Sequence, residues 1–386
     1  MLARPFRRLR RHRPRRPSAA DRQKEPGSGF AGAGLSTPLR AGGTAAPMHH
    51  PLGLQLRSEA LAGNYRTLLR RAGTATGAAI KADGYGLGAT QVARQLLAEG
   101  CRDFFVATWT EAAELGFLAP GALAVLHGLG PDDQPLPGVR PVLVSTAQVA
   151  RWKKSSLAGE PCDIMVDTGM NRLGLALDEF GCLENLTVHT VHSHLACADE
   201  DHPLNATQLK LFGEVRSSVP ASRYSLANSA GIYLGRDYAF DLVRPGLALY
   251  GGIPCKAARG EILQVCTPRA QVIQLRQVPA GATIGYNVTF TAPRDMTVAV
   301  INLGYADGYR RAFSPLGSAS FEGAELPVVG RISMDLVTLD AGASPAIREG
   351  DWVDLDFNLE QASLQTGISQ YELLTGLGKR FHRSWI

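Results

Sequence analysis

A strand–helix rhythm between about residue 56 and residue 250 constrains this chain more than any other feature. Short apolar runs at 77–81, 103–108, 123–127, 140–144, 162–167, 188–194, 223–226 and 241–244 read as strands. Segments 88–99, 110–118, 146–157 and 205–215 read as helices, the last with Leu209, Leu211, Phe212 and Val215 at near-helical spacing. Eight such repeats over roughly 200 residues predict a closed parallel (β/α)8 barrel of TIM type. An open doubly wound sheet is the alternative, but no G-x-G-x-x-G segment follows a strand. After about residue 266 the texture changes. Runs 271–278, 296–302, 326–332 and 352–356 are strand-like and broken by Gly, Pro and Asp, with a helix only at 370–378. The expectation is an α/β chain: a barrel over 49–265, then a mostly-β C-terminal domain over 266–386.

Residues 1–48 have a different character. They are rich in Arg, Pro, Gly, Ala and Ser, carry eleven basic and two acidic residues, and have no apolar periodicity. Such a segment cannot bury enough surface to offset its ordering entropy, and it reads as a disordered basic head. It suits a transit peptide, a nucleic-acid or membrane-surface tail, or sequence upstream of a true start at Met48, the reading favoured here. The remaining 29 basic and 33 acidic residues leave the folded part mildly acidic, with no reason to expect nucleic-acid binding. No apolar run approaches the ~18 residues of a membrane span. The six cysteines form no C-x-x-C pair and read as thiols of a reducing, cytoplasmic compartment.

Barrel active sites sit where strands end. Strand one ends in Lys81, after Ala78-Ala79-Ile80. Desolvation there would lower its pKa, as a Schiff-base lysine requires; snorkelling to the rim is the alternative. Strand five runs into Asp167-Thr168-Gly169-Met170-Asn171-Arg172, where Arg172 could clamp a carboxylate or sit in a surface salt bridge. Strand six ends His192-Ser193-His194, whose histidines could both face the barrel, as metal ligands, a stacking ring or satisfied core residues. Asn228 and Ser229, opening a helix after strand seven, suit a phosphate or a simple N-cap. Arg244 at the end of strand eight needs an acceptor. A lysine, a stacking ring, a phosphate cradle and an arginine for a ring nitrogen together fit pyridoxal 5'-phosphate, PLP.

Five segments then carry a resemblance over residues 50–386: Ile80-Lys81-Ala82-Asp83-Gly84-Tyr85-Gly86, the run from Asp167 to Gly174, the run from Arg244 to Gly251, Gly304-Tyr305-Ala306-Asp307-Gly308, and Gly330-Arg331-Ile332-Ser333-Met334-Asp335. In order and separation they resemble the alanine racemases, PLP enzymes with a barrel and a C-terminal β domain. The resemblance implies that Lys81 binds PLP and serves as base towards the D-enantiomer, and that Tyr305 serves the L-enantiomer. It implies a homodimer, with Tyr305 completing the partner's site. Arg172 and Met334 match substrate-carboxylate positions, and Arg244 matches the partner of the pyridine nitrogen. Tyr85, Ser229, Gly246, Leu247 and Tyr371 match the phosphate group's ligands, beside Asn228, and His194 matches the histidine beside the ring. The implied role is cytoplasmic supply of D-alanine for peptidoglycan. A racemase of other or broader amino acids, a barrel PLP decarboxylase or aldolase, and a non-catalytic PLP carrier are the alternatives.

Three positions depart from the family pattern. Met165 stands where many members have a carbamylated lysine that orients the arginine matched by Arg172. Ser225 stands where a histidine commonly extends the arginine network. The segment 312–321 reads as shortened and supplies no gate tyrosine.

Overall fold

The computed structural model describes residues 49–386, so the expectations for the head fall outside it. Seven parallel strands join in chain order: Ala78–Ala79, Phe104–Val106, Leu123–Val125, Val139–Leu143, Cys162–Met165, Val188–His192 and Arg223–Ser225. The eighth strand, Leu242–Val243, pairs parallel with Ala75–Thr76, just upstream of the first. Hydrogen bonds from Gly77 N to Val243 O (2.9 Å) and from Ala79 N to Pro245 O (2.9 Å) bring the last strand back to the first. Between Ala75–Thr76 and Ala78–Ala79 stands Gly77, where a Cβ would lie 2.8 Å from Asp103 O and from the Phe105 ring. Each strand overlaps its predicted segment and stops short of that segment's C-terminal end, and Val139–Leu143 starts one residue before the expected 140–144.

Helix Pro203–Ser218 illustrates the outer layer. Proline opens it, and His202 Nδ1 accepts from Leu204 N at 3.1 Å. Asn205, Gln208, Phe212 and Val215 are buried on one stripe, and Phe212 meets Phe240 edge-on at 4.8 Å. The barrel interior is less uniform. Buried Asp163 accepts from Arg140 Nε (2.9 Å) and Thr190 N (3.1 Å) and meets His192 Nε2 (3.2 Å). Burial alone would raise its pKa, but Arg140 and the two nearby histidines hold the carboxyl well below the usual range. Arg223 grips Asp103 with both terminal nitrogens.

The second part is built on the long strand Cys266–Val278. It pairs with Trp352–Leu355 and, along its second half, with Met296–Ile301. Leu52–Leu56 also pairs with it, antiparallel, from Leu52 opposite Ala270 to Leu56 opposite Cys266. This N-terminal strand therefore joins the second sheet although it precedes every barrel strand in sequence. On its other edge it takes up His382–Trp385 in parallel, so both ends of the described chain close the same sheet. The expected strand at 326–332 is Ala324–Pro327, and the expected terminal helix is Gln370–Thr375, preceded by the unforeseen helix Leu359–Thr366. All six cysteines are free thiols. No described helix is long and apolar enough to cross a membrane.

Candidate active site

The C-terminal ends of the barrel strands surround a cavity of about 530 Å³. Lys81, Tyr85, Arg172, His194, Asn228, Ser229, Arg244, Gly246, Leu247 and Tyr371 all line it. Tyr305 and Met334 do not.

The chain leaves strand one through a left-handed turn that begins immediately after Lys81. Ala82, Asp83, Gly84 and Tyr85 have φ of +53°, +54°, +60° and +55°. For residues with a Cβ this conformation costs about 1–2 kcal/mol each. Asp83 Oδ1 accepts from Ala89 N at 2.9 Å, and Glu111 Oε1 accepts from Ala82 N at 2.7 Å. The Tyr85 ring stacks on Tyr250 (4.6 Å, 23°), whose hydroxyl donates to Ala79 O at 2.8 Å. Tyr85 is thereby turned back against Gly246, where any Cβ would collide with its hydroxyl. Burial raises the Tyr85 pKa, so its hydroxyl stays protonated and can donate. Burial, then Arg172 and Arg244, press the Lys81 ammonium towards neutrality, with Glu111 opposing.

Ser229 Oγ accepts from Gly246 N (3.0 Å) and Ala248 N (3.2 Å) at the start of the 3₁₀ turn Leu247–Tyr250. That leaves its own proton to donate into the cavity. Asn228 Oδ1 caps Gly231 N at 2.9 Å, so for this side chain the capping reading holds as well. With the hydroxyls of Tyr85 and Tyr371 on the same cavity, these donors suit a phosphate.

Arg244 is buried, and its neighbours are neutral oxygens. Nη1 donates to Ser225 O (2.8 Å) and Ser225 Oγ, and Nη2 to Ser193 O (2.6 Å). Burial lowers its pKa to about 10, so it remains a cation at neutral pH. His194 is pushed down to about 3 by burial and by Arg244, Arg172 and Lys81, and presents a neutral ring. His192 does not line the cavity. It lies in the interior network, edge-on to Phe105 at 5.7 Å. Arg172 has no ion-pair partner among the described residues and is free to take an anion. A phosphate cradle, a neutral flat ring, a buried cation and a desolvated lysine fit a phosphorylated planar carbonyl cofactor.

Tyr305 and Met334 stand together in the second part of the chain. Tyr305 N donates to Ser333 O and Ala306 N to Met334 O, each at 3.0 Å. Gly304 permits this approach, since a Cβ there would meet the Met334 carbonyl. The Arg311 guanidinium lies 5.0 Å over the Tyr305 ring, and Met334 is 54% exposed. Sequence reasoning missed Glu111, whose Thr108-x-x-Glu111 spacing signals only a capping box. It also missed Ser193, whose carbonyl holds Arg244.

Comparisons with known proteins agree with this geometry. Residues 56–254 match the alanine racemase N-terminal domain and residues 265–385 the alanine racemase C-terminal domain. An alanine racemase of Rhizobium meliloti is 40% identical over 358 residues, 85% of this chain and 94% of that protein. A catabolic alanine racemase of Agrobacterium fabrum is 40% identical over 376 residues, 91% of this chain and 95% of that protein. The crystal structure of alanine racemase from Bartonella henselae with covalently bound pyridoxal phosphate superposes with a TM-score of 0.80 at 38% identity, covering 87% of this chain and 99% of that one. With both of its parts matched over nearly their whole length, the chain belongs to the alanine racemase family.

Proposed function

We propose that the protein interconverts L- and D-alanine with PLP, using Lys81 and the partner subunit's Tyr305 as bases on opposite faces of the substrate Cα. One observation carries this reading. The cavity gathers cofactor ligands, a free arginine and one base, while the second base stands on a loop of the same chain that does not reach the cavity. A homodimer in which each subunit lends Tyr305 and Met334 to the other completes both sites.

The residues divide the work. Ser229, Tyr85, Tyr371 and the Leu247 N–H, the one amide at the start of the turn that Ser229 does not engage, would hold the phosphate. PLP, when bound, supplies the electron sink that acidifies the substrate Cα–H. Lys81, already pressed towards neutrality, takes or returns the proton on the D face. The partner subunit's Tyr305 does so on the L face. One base alone would tend to return the proton to the face it left. Arg172, with the partner subunit's Met334, fixes the substrate carboxylate and so the direction of the Cα–H bond. Arg244 keeps its proton and would donate a hydrogen bond to the pyridine nitrogen without protonating it. His194, on the same cavity, would offer the cofactor ring a neutral face.

Met165, 8% exposed, lines the cavity in an apolar cluster with Phe105 and Leu242, so it cannot orient Arg172 by charge. Ser225 does replace part of the expected histidine, since its hydroxyl and carbonyl both receive Arg244. The proposed role is cytoplasmic supply of D-alanine for peptidoglycan.

Subunit mixing tests the shared site. Lys81→Ala and Tyr305→Ala proteins should each be inactive. After exchange of subunits they should recover roughly a quarter of wild-type turnover, because half the dimers are hybrids with one complete site each. No recovery after demonstrated exchange would overturn the assignment of Tyr305 to the partner.

A further inference from the structure

We propose that Glu111 is a positioning residue for Lys81, holding the left-handed turn that follows the lysine and setting its charge balance; this rests on the role given to Lys81 above. Glu111 belongs to another element, the short helix Trp109–Ala113 after strand two. Its two carboxylate oxygens face different backbones. Oε2 accepts from Ala107 N (2.7 Å) and Thr108 N (3.3 Å), which ties it to its own strand end. Oε1 accepts from Ala82 N (2.7 Å), the first residue after Lys81. A capping box needs only the bonds to its own helix start, here Thr108 Oγ1 from Glu111 N at 3.3 Å and Glu111 Oε2 from Thr108 N. The bond to Ala82 is additional, and it falls where the backbone enters a conformation that L-residues avoid.

Three further contacts hold the far end of that turn. Asp83 receives Ala89 N, Gly84 N donates to Ile80 O, and Tyr85 stacks on Tyr250. At the near end, Ala82 N has Glu111. A shift of Ala82 would rotate the Cα–Cβ vector of Lys81 away from the cavity. The charged groups acting on Lys81 are Arg172, Arg244 and Glu111, with His194 beside them as a neutral ring, and Glu111 is the anion among them. It offsets the two arginines that favour the neutral amine.

The test uses the full-length holoenzyme and two readouts besides turnover: release of PLP into a carbonyl trap, and the pH midpoint of the visible absorbance of the cofactor bound at Lys81. Glu111→Ala should speed PLP release by about tenfold, the scale of one lost charge-assisted hydrogen bond. Glu111→Gln keeps the shape and one acceptor, and should move the absorbance midpoint down by at least roughly half a unit, because an anion beside the nitrogen is removed. Thr108→Ala removes the local cap and leaves the bond to Ala82, so it should change both readouts less than about twofold. If Thr108→Ala and Glu111→Ala behave alike, or if Glu111→Gln leaves the midpoint in place, Glu111 is a helix cap only and the proposal fails. Wild type that takes up no PLP, or Lys81→Ala that takes it up with the same absorbance, would instead overturn the cofactor assignment.

Discussion

Arg380 holds the fully buried carboxylate of Asp307 at both oxygens, Nε to Oδ1 at 2.6 Å and Nη2 to Oδ2 at 2.8 Å. The same guanidinium reaches Asp335 at 2.8 Å, and Asp307 Oδ2 also accepts Gly304 N at 3.0 Å. The C-terminal segment thus clamps the loop bearing Tyr305 to the loop bearing Met334.

Replacing Arg380 by Ala leaves a buried carboxylate unpaired. Because the Arg380 side chain is half-exposed and water screens part of the pair, the expected loss is about 2–3 kcal/mol rather than the upper end for buried pairs. Urea unfolding measures it. Turnover should fall more than PLP affinity does, since the displaced loops carry the proposed second base, Tyr305, and none of the residues that line the cavity.

Acid should weaken the fold through His192. Burial lowers its pKa from 6.5 to about 4, with the Asp163 hydrogen bond opposing. The folded state therefore disfavours a proton that the unfolded chain accepts. This contribution is whole above pH 6.5 and is lost as pH falls from there through about 4. It amounts to about 3 kcal/mol. The urea midpoint should fall across this window, and His192→Gln should flatten the slope. A midpoint insensitive to pH in wild type would contradict this.

Arg172→Ala should raise KM for alanine between roughly tenfold and a hundredfold, the scale of a lost charge-assisted pair. Stability should stay within about 0.5 kcal/mol, because Arg172 is exposed and has no ion-pair partner among the described residues. Equal losses in stability and in KM would assign Arg172 a structural role.

Ser225→Ala should be mild. It removes a hydroxyl shared between Arg244 and Leu242 O, but Arg244 keeps the Ser225 and Ser193 carbonyls. The expected cost is about 1 kcal/mol in stability, with PLP affinity changed less than about threefold. A larger loss of affinity would make the hydroxyl the main support of Arg244.

The barrel was legible because each strand is a short apolar run of the right length, and its polar ends name themselves. Lys81 and Arg244 close apolar strands, where an uncompensated cation would be costly. The pairing of Leu52–Leu56 with Cys266–Val278 was not legible, since no local pattern marks a partner more than 200 residues away. Nor was the left-handed turn. Asp83 and Tyr85 carry no glycine signal, and their conformation is imposed by contacts from Ala89, Tyr250 and Gly246. His192 and His194 alternate as expected, but strand pairing gives one to the interior network and the other to the cavity. Tyr305 is proposed through its motif alone, because the packing of its own chain does not bring it to the cavity.

Deuterium wash-in tests the two-base account most directly. Holoenzyme with L-alanine in D₂O, followed for Cα exchange and D-alanine formation together, should show exchange coupled to inversion in wild type. Tyr305→Phe should lose inversion. Exchange in wild type without D-alanine, or inversion that survives in Tyr305→Phe, would contradict the pairing of Lys81 with Tyr305.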